Sequence, residues 1–88
     1  MVIMRKLGIL LSVYKNRLII VKPLVKNVLE TYGCEVFDNS MNKIGYVVDI
    51  IGNVNNPYII VKPLSTDLMY IVEQGSTLFF ARRRTRKK

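Results

Sequence analysis

The hexapeptide IIVKPL occupies residues 19–24, and the same six letters return at residues 59–64. The repeat lengthens when LGILLSVYKNRLIIVKPL (7–24) is laid over VVDIIGNVNNPYIIVKPL (47–64), forty positions further on. Each copy consists of an apolar run, a polar turn and a β-branched run, a pattern typical of a β-hairpin. The sequence therefore predicts two related hairpins. Their alignment places Leu10 on Ile50, Leu11 on Ile51, Ser12 on Gly52 and Asn16 on Asn56.

A third segment also occurs twice, as YGCEVFD (32–38) and QGSTLFF (74–80). Each copy has a glycine, which permits a turn into a strand, followed by an aliphatic residue and a phenylalanine. Val36 and Leu78 should face alike, and so should Phe37 and Phe79. The repeating unit is therefore hairpin, connector, strand. Each hairpin should end at its proline (Pro23 or Pro63), because proline offers no N–H to the ladder.

The remaining segments complete the expected order of elements. Residues 25–32 can form a turn of helix that is too short to be stable without packing, and residues 65–74 form the matching connector. The polar turn at 38–43 should join two strands into a further hairpin. In the strand that follows, alternation separates two faces. Ile44, Tyr46, Val48 and Ile50 are expected on one face, and Gly45, Val47, Asp49 and Ile51 on the other.

Six strands in so short a chain need a closed arrangement. Closing the sheet removes its exposed edges and encloses one apolar interior, and two related halves can pack about an approximate dyad. The expected fold is all-β: a small closed six-stranded barrel built from two related ββ-connector-β halves. We expect residues 1–81 to form this single domain and residues 82–88 to form a basic C-terminal tail.

The charge distribution and the cysteine content indicate the kind of cellular environment in which the protein works. The net charge of +8 is uneven, since the tail contributes +6 and residues 1–81 carry eight basic and six acidic residues. Cys34 is the single cysteine, so no disulfide framework exists, which favours a reducing, cytoplasmic setting. The apolar run near the N-terminus is short and lacks a cleavage site, so we expect a strand there and no membrane segment.

The sequence lacks the usual chemistry of catalysis. It contains no histidine, so the commonest general base near neutral pH is missing. Cys34 has no imidazole to activate it, and we expect a small buried thiol. The carboxylates are scattered, and neither metal-ligand spacing nor a glycine-rich phosphate loop is present. We therefore expect no catalytic residues, no metal, no cofactor and no enzymatic activity.

The densest segment, IGYVVDIIGNVNNPYIIVKP (44–63), resembles the signature of the H/ACA ribonucleoprotein subunit family named for its glycine/arginine-rich (GAR) domains. That pattern runs approximately Ile-Gly-x-Val-x-Asp-Ile-x-Gly-Pro-Val, two residues, Pro-Tyr, two residues, Val-Lys-Pro. It is matched here by Ile44, Gly45, Val47, Asp49, Ile50, Gly52, Val54, Pro57, Tyr58, Val61, Lys62 and Pro63. Asn53 stands where the family usually has proline. The long glycine/arginine-rich extensions are absent, so the chain resembles the minimal archaeal form.

The resemblance implies a barrel like those of translation factors. It also implies a non-catalytic subunit of a guide-RNA pseudouridylation complex that docks on the pseudouridine synthase. Such a subunit influences a mobile loop that places and releases substrate RNA during rRNA modification, a part of ribosome biogenesis. The partner-binding residues implied by the match are Val47, Asp49, Ile50, Val54, Pro57, Tyr58 and Val61. Alternation alone predicts that roughly half of them fill the barrel instead.

Three features leave alternatives open. Asp49 lies mid-strand among aliphatic residues, so it either faces solvent or accepts hydrogen bonds from turn amides. Lys22 and Lys62, each just before a proline, form either a paired basic site or two solvated strand ends. The tail is either a solubilising terminus or a weak RNA-binding segment, without aromatic residues for base stacking. Its cations are Arg82, Arg83, Arg84, Arg86, Lys87 and Lys88.

Two functional hypotheses follow. The first is the accessory subunit of an H/ACA complex, which contacts guide and ribosomal RNA indirectly or through its tail. The second is a free-standing RNA-binding barrel associated with ribosomes or translation, which rests on fold analogy and the basic end. An apolar face kept for a protein partner can also drive self-association when that partner is absent.

Overall fold

The structure, a computed structural model, describes residues 2–15, 17–53, 55–64 and 74–83, with the side chains of residues 2, 3, 82 and 83 excepted. It contains six strands and a short 3₁₀ helix at Val28–Thr31, whose first turn is capped by the Asn27 side chain. The strands are β1 (Val2–Tyr14), β2 (Leu18–Pro23), β3 (Glu35–Phe37), β4 (Lys43–Asn53), β5 (Asn56–Pro63) and β6 (Thr77–Arg83). The second connector lies mostly outside the described residues.

The strands close into an antiparallel barrel in the order β1-β2-β5-β4-β3-β6. This confirms the predicted all-β, six-stranded closed barrel. Hairpin 1 is β1–β2 and hairpin 2 is β4–β5, while β3 pairs with β4 across the expected turn. β2 and β5 end at Pro23 and Pro63, as the missing proline N–H predicts. In the described part of the chain, no helix has the length and apolarity needed to cross a membrane.

The core is itself duplicated. Most of its fully buried side chains form pairs, one member from each half of the chain, and the described 3₁₀ helix and connector pack against them through Val25, Val28 and Cys34. Phe80 is the large core residue whose repeat counterpart, Asp38, is polar. The pairs are Leu7 with Ile44, Leu10 with Val47, Ile19 with Ile59, Val21 with Val61, and Val36 with Leu78.

The predicted alignment of the first strands is wrong by three residues. Gly8 lies opposite Pro23 and Gly45 opposite Pro63, so Leu10 corresponds to Val47 and not to Ile50. The β2 and β5 strands keep the forty-residue offset, so the extra three residues lengthen the paired strands of hairpin 2 beyond the bulge. The matching letters in the first strands reflect composition, because both strands are rich in Leu, Ile and Val.

The strict alternation predicted along β4 is also wrong. Its register shifts once opposite β3, near Ile44, and again opposite β5, between Val47 and Asp49. Because each bulge adds one residue, Ile44 and Val47 both face the core, and Ile50 packs against it. β1 has shifts at the corresponding places, between Lys6 and Gly8 and between Leu10 and Ser12. A period of three thus replaces a period of two on the inner face.

The third strand of each half begins in the same way. Gly33 and Gly75 have φ angles of 79° and 90°, a left-handed conformation that L-residues adopt with strain. Each glycine N–H then donates to the first strand of a hairpin: Gly33 to the Val47 carbonyl at 3.0 Å and Gly75 to the Leu10 carbonyl at 2.8 Å. The predicted turn function of both glycines is confirmed. Val36 and Leu78 are both buried, and Phe37 and Phe79 are both half-buried, as expected.

The approximate dyad passes between equivalent residues on both sides of the barrel. Ile20 pairs with Ile60 where β2 meets β5, and Phe37 pairs with Phe79 where β3 meets β6. Because the two hairpins are antiparallel across this dyad, their tips lie at opposite ends of the barrel. The end that carries the tip of hairpin 2 also carries the start of β1, the connector after β2 and the end of β6. We call this the tail end.

Candidate functional site

Hairpin 2 carries the signature residues, and its outer half projects past the barrel. β5 pairs with β2 only through residues 59–61, and β4 pairs with β3 only up to Tyr46. From Asp49 to the tip, β4 therefore pairs with β5 alone, and from Ile51 and Tyr58 outward the hairpin is a two-stranded ribbon. Within the signature segment, this ribbon is the part whose backbone and side chains another molecule can contact.

Three of the predicted partner-binding residues line the interior. Val47 and Val61 have 1% and 0% of their surface exposed, and Ile50 packs against the core while remaining half-buried. The side chains of Val47 and Val61 therefore fill the barrel and do not reach its outer surface, as alternation allowed for some of this set. The bulge after Val47 turns the chain so that Ile50 also faces inward.

Three other predicted residues remain at the surface. Asp49 is exposed, while Pro57 and Tyr58 are half-buried on the β5 side of the ribbon. Val54 lies outside the described residues. Asp49 occupies the bulge, and its Oδ1 accepts a hydrogen bond from the Ile50 N–H at 2.8 Å. Of the two alternatives for Asp49, both hold in part: the side chain faces solvent and also caps a backbone amide.

The structure adds Ile51, which the sequence assigned to a strand face but not to the site. Ile51 lies directly opposite Tyr58 and is 44% exposed. Directly opposed residues in an antiparallel pair have their side chains on one face, so Ile51 and Tyr58 form a single apolar patch. Asp49 lies on the same face, and we call Asp49, Ile51 and Tyr58 the ribbon face; Pro57, which lies opposite Gly52, faces the other side of the ribbon. Counting strand partners back from the turn would have placed Ile51 beside Tyr58.

The tip of hairpin 2 is held by side-chain hydrogen bonds. Asn53 Oδ1 accepts from the N–H groups of Asn55 at 2.9 Å and Asn56 at 2.8 Å, which is the geometry of an Asx turn. Gly52 has a φ angle of 94°, a left-handed conformation that favours glycine, so this residue helps to shape the turn. These contacts define the turn although Asn53 replaces the proline of the family pattern. A well-defined tip keeps the ribbon face in one orientation.

The dyad supplies a counterpart of the ribbon face at the other end of the barrel. Tyr14 and Leu18 pair in hairpin 1 at the positions that correspond to Ile51 and Tyr58. The Lys15 ammonium lies 5.3 Å from the centre of the Tyr14 ring. Ser12 takes the place of Asp49 at the bulge. The two ribbons thus share a backbone and differ in their side chains.

The predicted basic residues are distributed over both ends. Lys22 and Lys62 are exposed near opposite ends of adjacent antiparallel strands, which fits two solvated strand ends better than a paired site. β6 continues through Arg83, two residues beyond the expected end of the domain, and its backbone places Arg82 and Arg83 opposite Ile3 and Val2. Arg84, Arg86, Lys87 and Lys88 lie outside the described residues.

The described residues hold no group of three or more His, Cys, Asp or Glu side chains arranged for a metal ion. Cys34 precedes β3, is half-buried against the core, and its thiol donates to the Glu30 carbonyl at 3.5 Å. That placement is close to the expected buried thiol. Glu35 pairs with Lys43 at 2.7 Å on the surface. The ribbon face offers shape, apolar area and one carboxylate, which suits binding to a protein surface.

No family model matches the sequence, and no curated protein matches it either. The fold, by contrast, matches solved structures. One of them, described as "Structure of the Gar1 domain of NAf1", superposes with a TM-score of 0.69 and 21% sequence identity, over 90% of this chain and 86% of that one. At this identity the match establishes the fold alone: the chain has a Gar1-like barrel.

Proposed function

We propose that this chain is a non-catalytic accessory subunit of an H/ACA guide-RNA pseudouridylation complex. It docks on the pseudouridine synthase subunit through the ribbon face of hairpin 2. It then influences the placement and release of substrate RNA during rRNA modification. The observation that carries the proposal is that the segment with the family signature forms a projecting ribbon on which the exposed Ile51 lies opposite the half-buried Tyr58.

Two lines of support are independent of each other. The signature at residues 44–63 matches a family pattern by residue type and spacing, without reference to coordinates. The barrel matches the backbone of a Gar1 domain, without reference to the signature. The bulge and Gly52 indicate that several signature positions shape the ribbon, so that few of them remain available for contact.

The docked subunit acts on the synthase through the difference between its affinities for two conformations of the mobile loop. A binding partner shifts a mobile loop only if it binds one loop conformation more tightly than another. A difference of about 1–3 kcal/mol, the usual range of coupling energies, changes the loop population by roughly 5–150-fold. The ribbon face is suited to this role because its tip is held by its own hydrogen bonds. This chain supplies no reacting group.

The test is binding to a matching synthase, measured by co-elution and calorimetry without guide RNA. The variant Ile51→Ser/Tyr58→Ser removes the apolar pair. Loss of a central apolar anchor commonly weakens binding by about 2 kcal/mol, or roughly 30-fold. The matched control is Tyr14→Ser/Leu18→Ser, which makes the same kind of change at the dyad-related positions.

The control variant is expected to bind the synthase as the unchanged protein does. Equal loss in both variants would show that stability, and not docking, was altered. Absence of co-elution for the unchanged protein at micromolar concentration would reject the proposal. Removing residues 84–88, which leaves β6 intact, separates the rival hypothesis: an RNA-binding barrel loses its activity, whereas a docking subunit keeps its affinity for the synthase.

A further inference from the structure

A groove opens at the tail end of the barrel, between the start of β1 and the connector that follows β2. Its volume is about 650 Å³, and it is open to solvent along one side. Its lining comes from two segments that hairpin 1 brings together, because Gly8 lies opposite Pro23. The lining residues are Arg5, Lys6, Leu24, Val25, Lys26, Asn27 and Glu30. We call this the basic groove.

The charges in the basic groove are mostly positive. Arg5, Lys6 and Lys26 contribute three cations, and Glu30 contributes one carboxylate, which leaves a net of two positive charges. Arg5, Lys6 and Lys26 are all exposed, and no ion pair is recorded for them within the described ranges. Like charges gathered in a concave surface raise the local positive potential, which attracts an anionic ligand.

The barrel does not require these cations. The dyad relates Arg5 to Asn42 and Lys6 to Lys43, the residues at the start of β4. Lys43 is paired with Glu35 at 2.7 Å, and Asn42 hydrogen bonds to Asp38. The same backbone positions therefore carry an ion-paired lysine at one end of the barrel and, as far as the described residues extend, cations outside any ion pair at the other.

The basic tail begins next to the basic groove. β6 runs antiparallel to β1, so that Arg5 lies opposite Phe80 and Ile3 opposite Arg82. The chain continues from Arg83 with Arg84, Arg86, Lys87 and Lys88. The register thus places the last residues of β6 on the strand adjacent to Arg5 and Lys6.

We propose that the basic groove binds the phosphate backbone of a nucleic-acid strand. A strand offers anions at regular spacing, which matches cations spread along an open groove better than a single small anion would. Arginine and lysine are the usual partners of phosphate oxygens. No aromatic residue lines the groove, so base stacking and sequence readout are absent from it. This surface is separate from the ribbon face, and the proposal does not depend on synthase docking.

The experiment measures binding of a fluorescein-labelled RNA strand of about 12 nucleotides by fluorescence anisotropy, over a range of salt concentrations. The full-length variant Arg5→Gln/Lys6→Gln/Lys26→Gln removes the groove cations. We expect its affinity to fall by about tenfold or more at low salt. Each lost phosphate contact lowers the slope of log K against log salt by ~0.7 for a single strand, so the slope should fall by ~2.

The control is Lys15→Gln/Arg17→Gln/Lys62→Gln, which removes the same charge from exposed positions away from the groove. It is expected to change affinity by less than about threefold, because those charges lie outside the contact. Arg5→Lys/Lys6→Arg/Lys26→Arg, which keeps every charge, should restore binding to the unchanged value. Thermal unfolding of each variant confirms that these surface changes leave the barrel folded.

Three outcomes would overturn the proposal: equal losses in the groove and control variants, binding of polyglutamate as tight as that of RNA, or unchanged RNA binding in the groove variant. A DNA strand of the same sequence should bind about as tightly as RNA, since phosphate contacts do not read the 2′-hydroxyl. A large preference for RNA would show contacts that the groove does not supply. The groove variant should still co-elute with the synthase, so failure here is distinguishable from failure of docking.

Discussion

Two backbone carbonyls, those of Lys22 and Lys62, decide which residues can occupy positions 8 and 45. A Cβ atom built on Gly8 would overlap the Lys22 carbonyl oxygen, and one on Gly45 would overlap that of Lys62. The approach is close because the amide that follows each proline, at Leu24 or Leu64, donates across the hairpin to the residue before the glycine. A single steric constraint is thus used twice, once in each half.

We therefore expect Gly8→Ala and Gly45→Ala each to destabilise the fold by about 1–3 kcal/mol, the usual cost of overpacking. The sign is informative, because alanine in place of glycine ordinarily stabilises a strand through the unfolded chain. Urea unfolding monitored by circular dichroism measures the free energy. Ser12→Ala, at an exposed position of β1, is the control and should change stability by less than about 0.5 kcal/mol. Stabilisation by either glycine variant would contradict the close approach.

Elements of this fold differ in how well their sequence specifies them. The β-branched runs of β2 and β5 and the glycine-led runs of β3 and β6 were predicted correctly, because each has a local signal at its start or end. The first strands were not, since bulges at Gly8 and Gly45 and after Leu10 and Val47 break the alternation that sequence reasoning relies on. The position of a bulge depends on how a strand aligns with both of its neighbouring strands, and a local sequence pattern does not contain that information.

The same dependence on strand register explains why the sequence misplaced some of the site residues. Val47, predicted among the partner-binding residues, lies in the core because the bulge near Ile44 turns it to the same face as Ile44, and Val61 lies opposite it. Ile51 was placed on the correct strand but not in the site. The basic groove was also missed, although its signal was present: pairing Gly8 with Pro23 places Lys6 beside the connector that contains Lys26. Residues distant in sequence become one surface only once the register is known.

The β3–β4 turn is the element most dependent on a single side chain. Asp38 Oδ1 accepts hydrogen bonds from the N–H groups of Ser40 and Asn42, both at 2.9 Å. Asp38→Ala removes both and is expected to destabilise the barrel by about 1–2 kcal/mol, while Asp38→Asn, which keeps an acceptor oxygen, should lose less. Chemical denaturation measures the difference. Asn39→Ala, at the neighbouring exposed position, is the control, and an equal loss there would show that the turn and not the carboxylate matters.

At the scale of the whole molecule, the dyad relates the two chain ends to the β3–β4 turn. The Lys6–Phe79 pair of β1 and β6 corresponds to the Lys43–Phe37 pair of β4 and β3 on the other side of the barrel. From there the β1–β6 ladder continues to Val2 and Arg83, in the place where the other half forms the β3–β4 turn. The docking and nucleic-acid proposals both rely on features that break this symmetry: the Ile51–Tyr58 ribbon and the cations of the basic groove, both at the tail end.

The dyad predicts that the chain can be opened at the β3–β4 turn without loss of the fold. In a circular permutant that starts at Asn42 and ends at Met41, residues 84–88 and Met1 become the loop that joins β6 to β1. Chains whose termini are close, and which are opened in an exposed turn, generally tolerate permutation. We expect cooperative unfolding with stability lowered by about 1–2 kcal/mol, since the Asp38 hydrogen bonds to the turn are interrupted.

A second permutant opened between Val21 and Lys22, inside β2, serves as the comparison. That cut ends the chain at Val21, the last of the three β2 residues that pair with β5 and a neighbour of the dyad at Ile20 and Ile60, and it should abolish cooperative folding. Circular dichroism and amide hydrogen exchange distinguish the two permutants. If the chain opened at the turn failed to fold while the one opened in β2 succeeded, the two halves would not be equivalent units. The barrel would then owe its stability to one hairpin and not to the pairing of both.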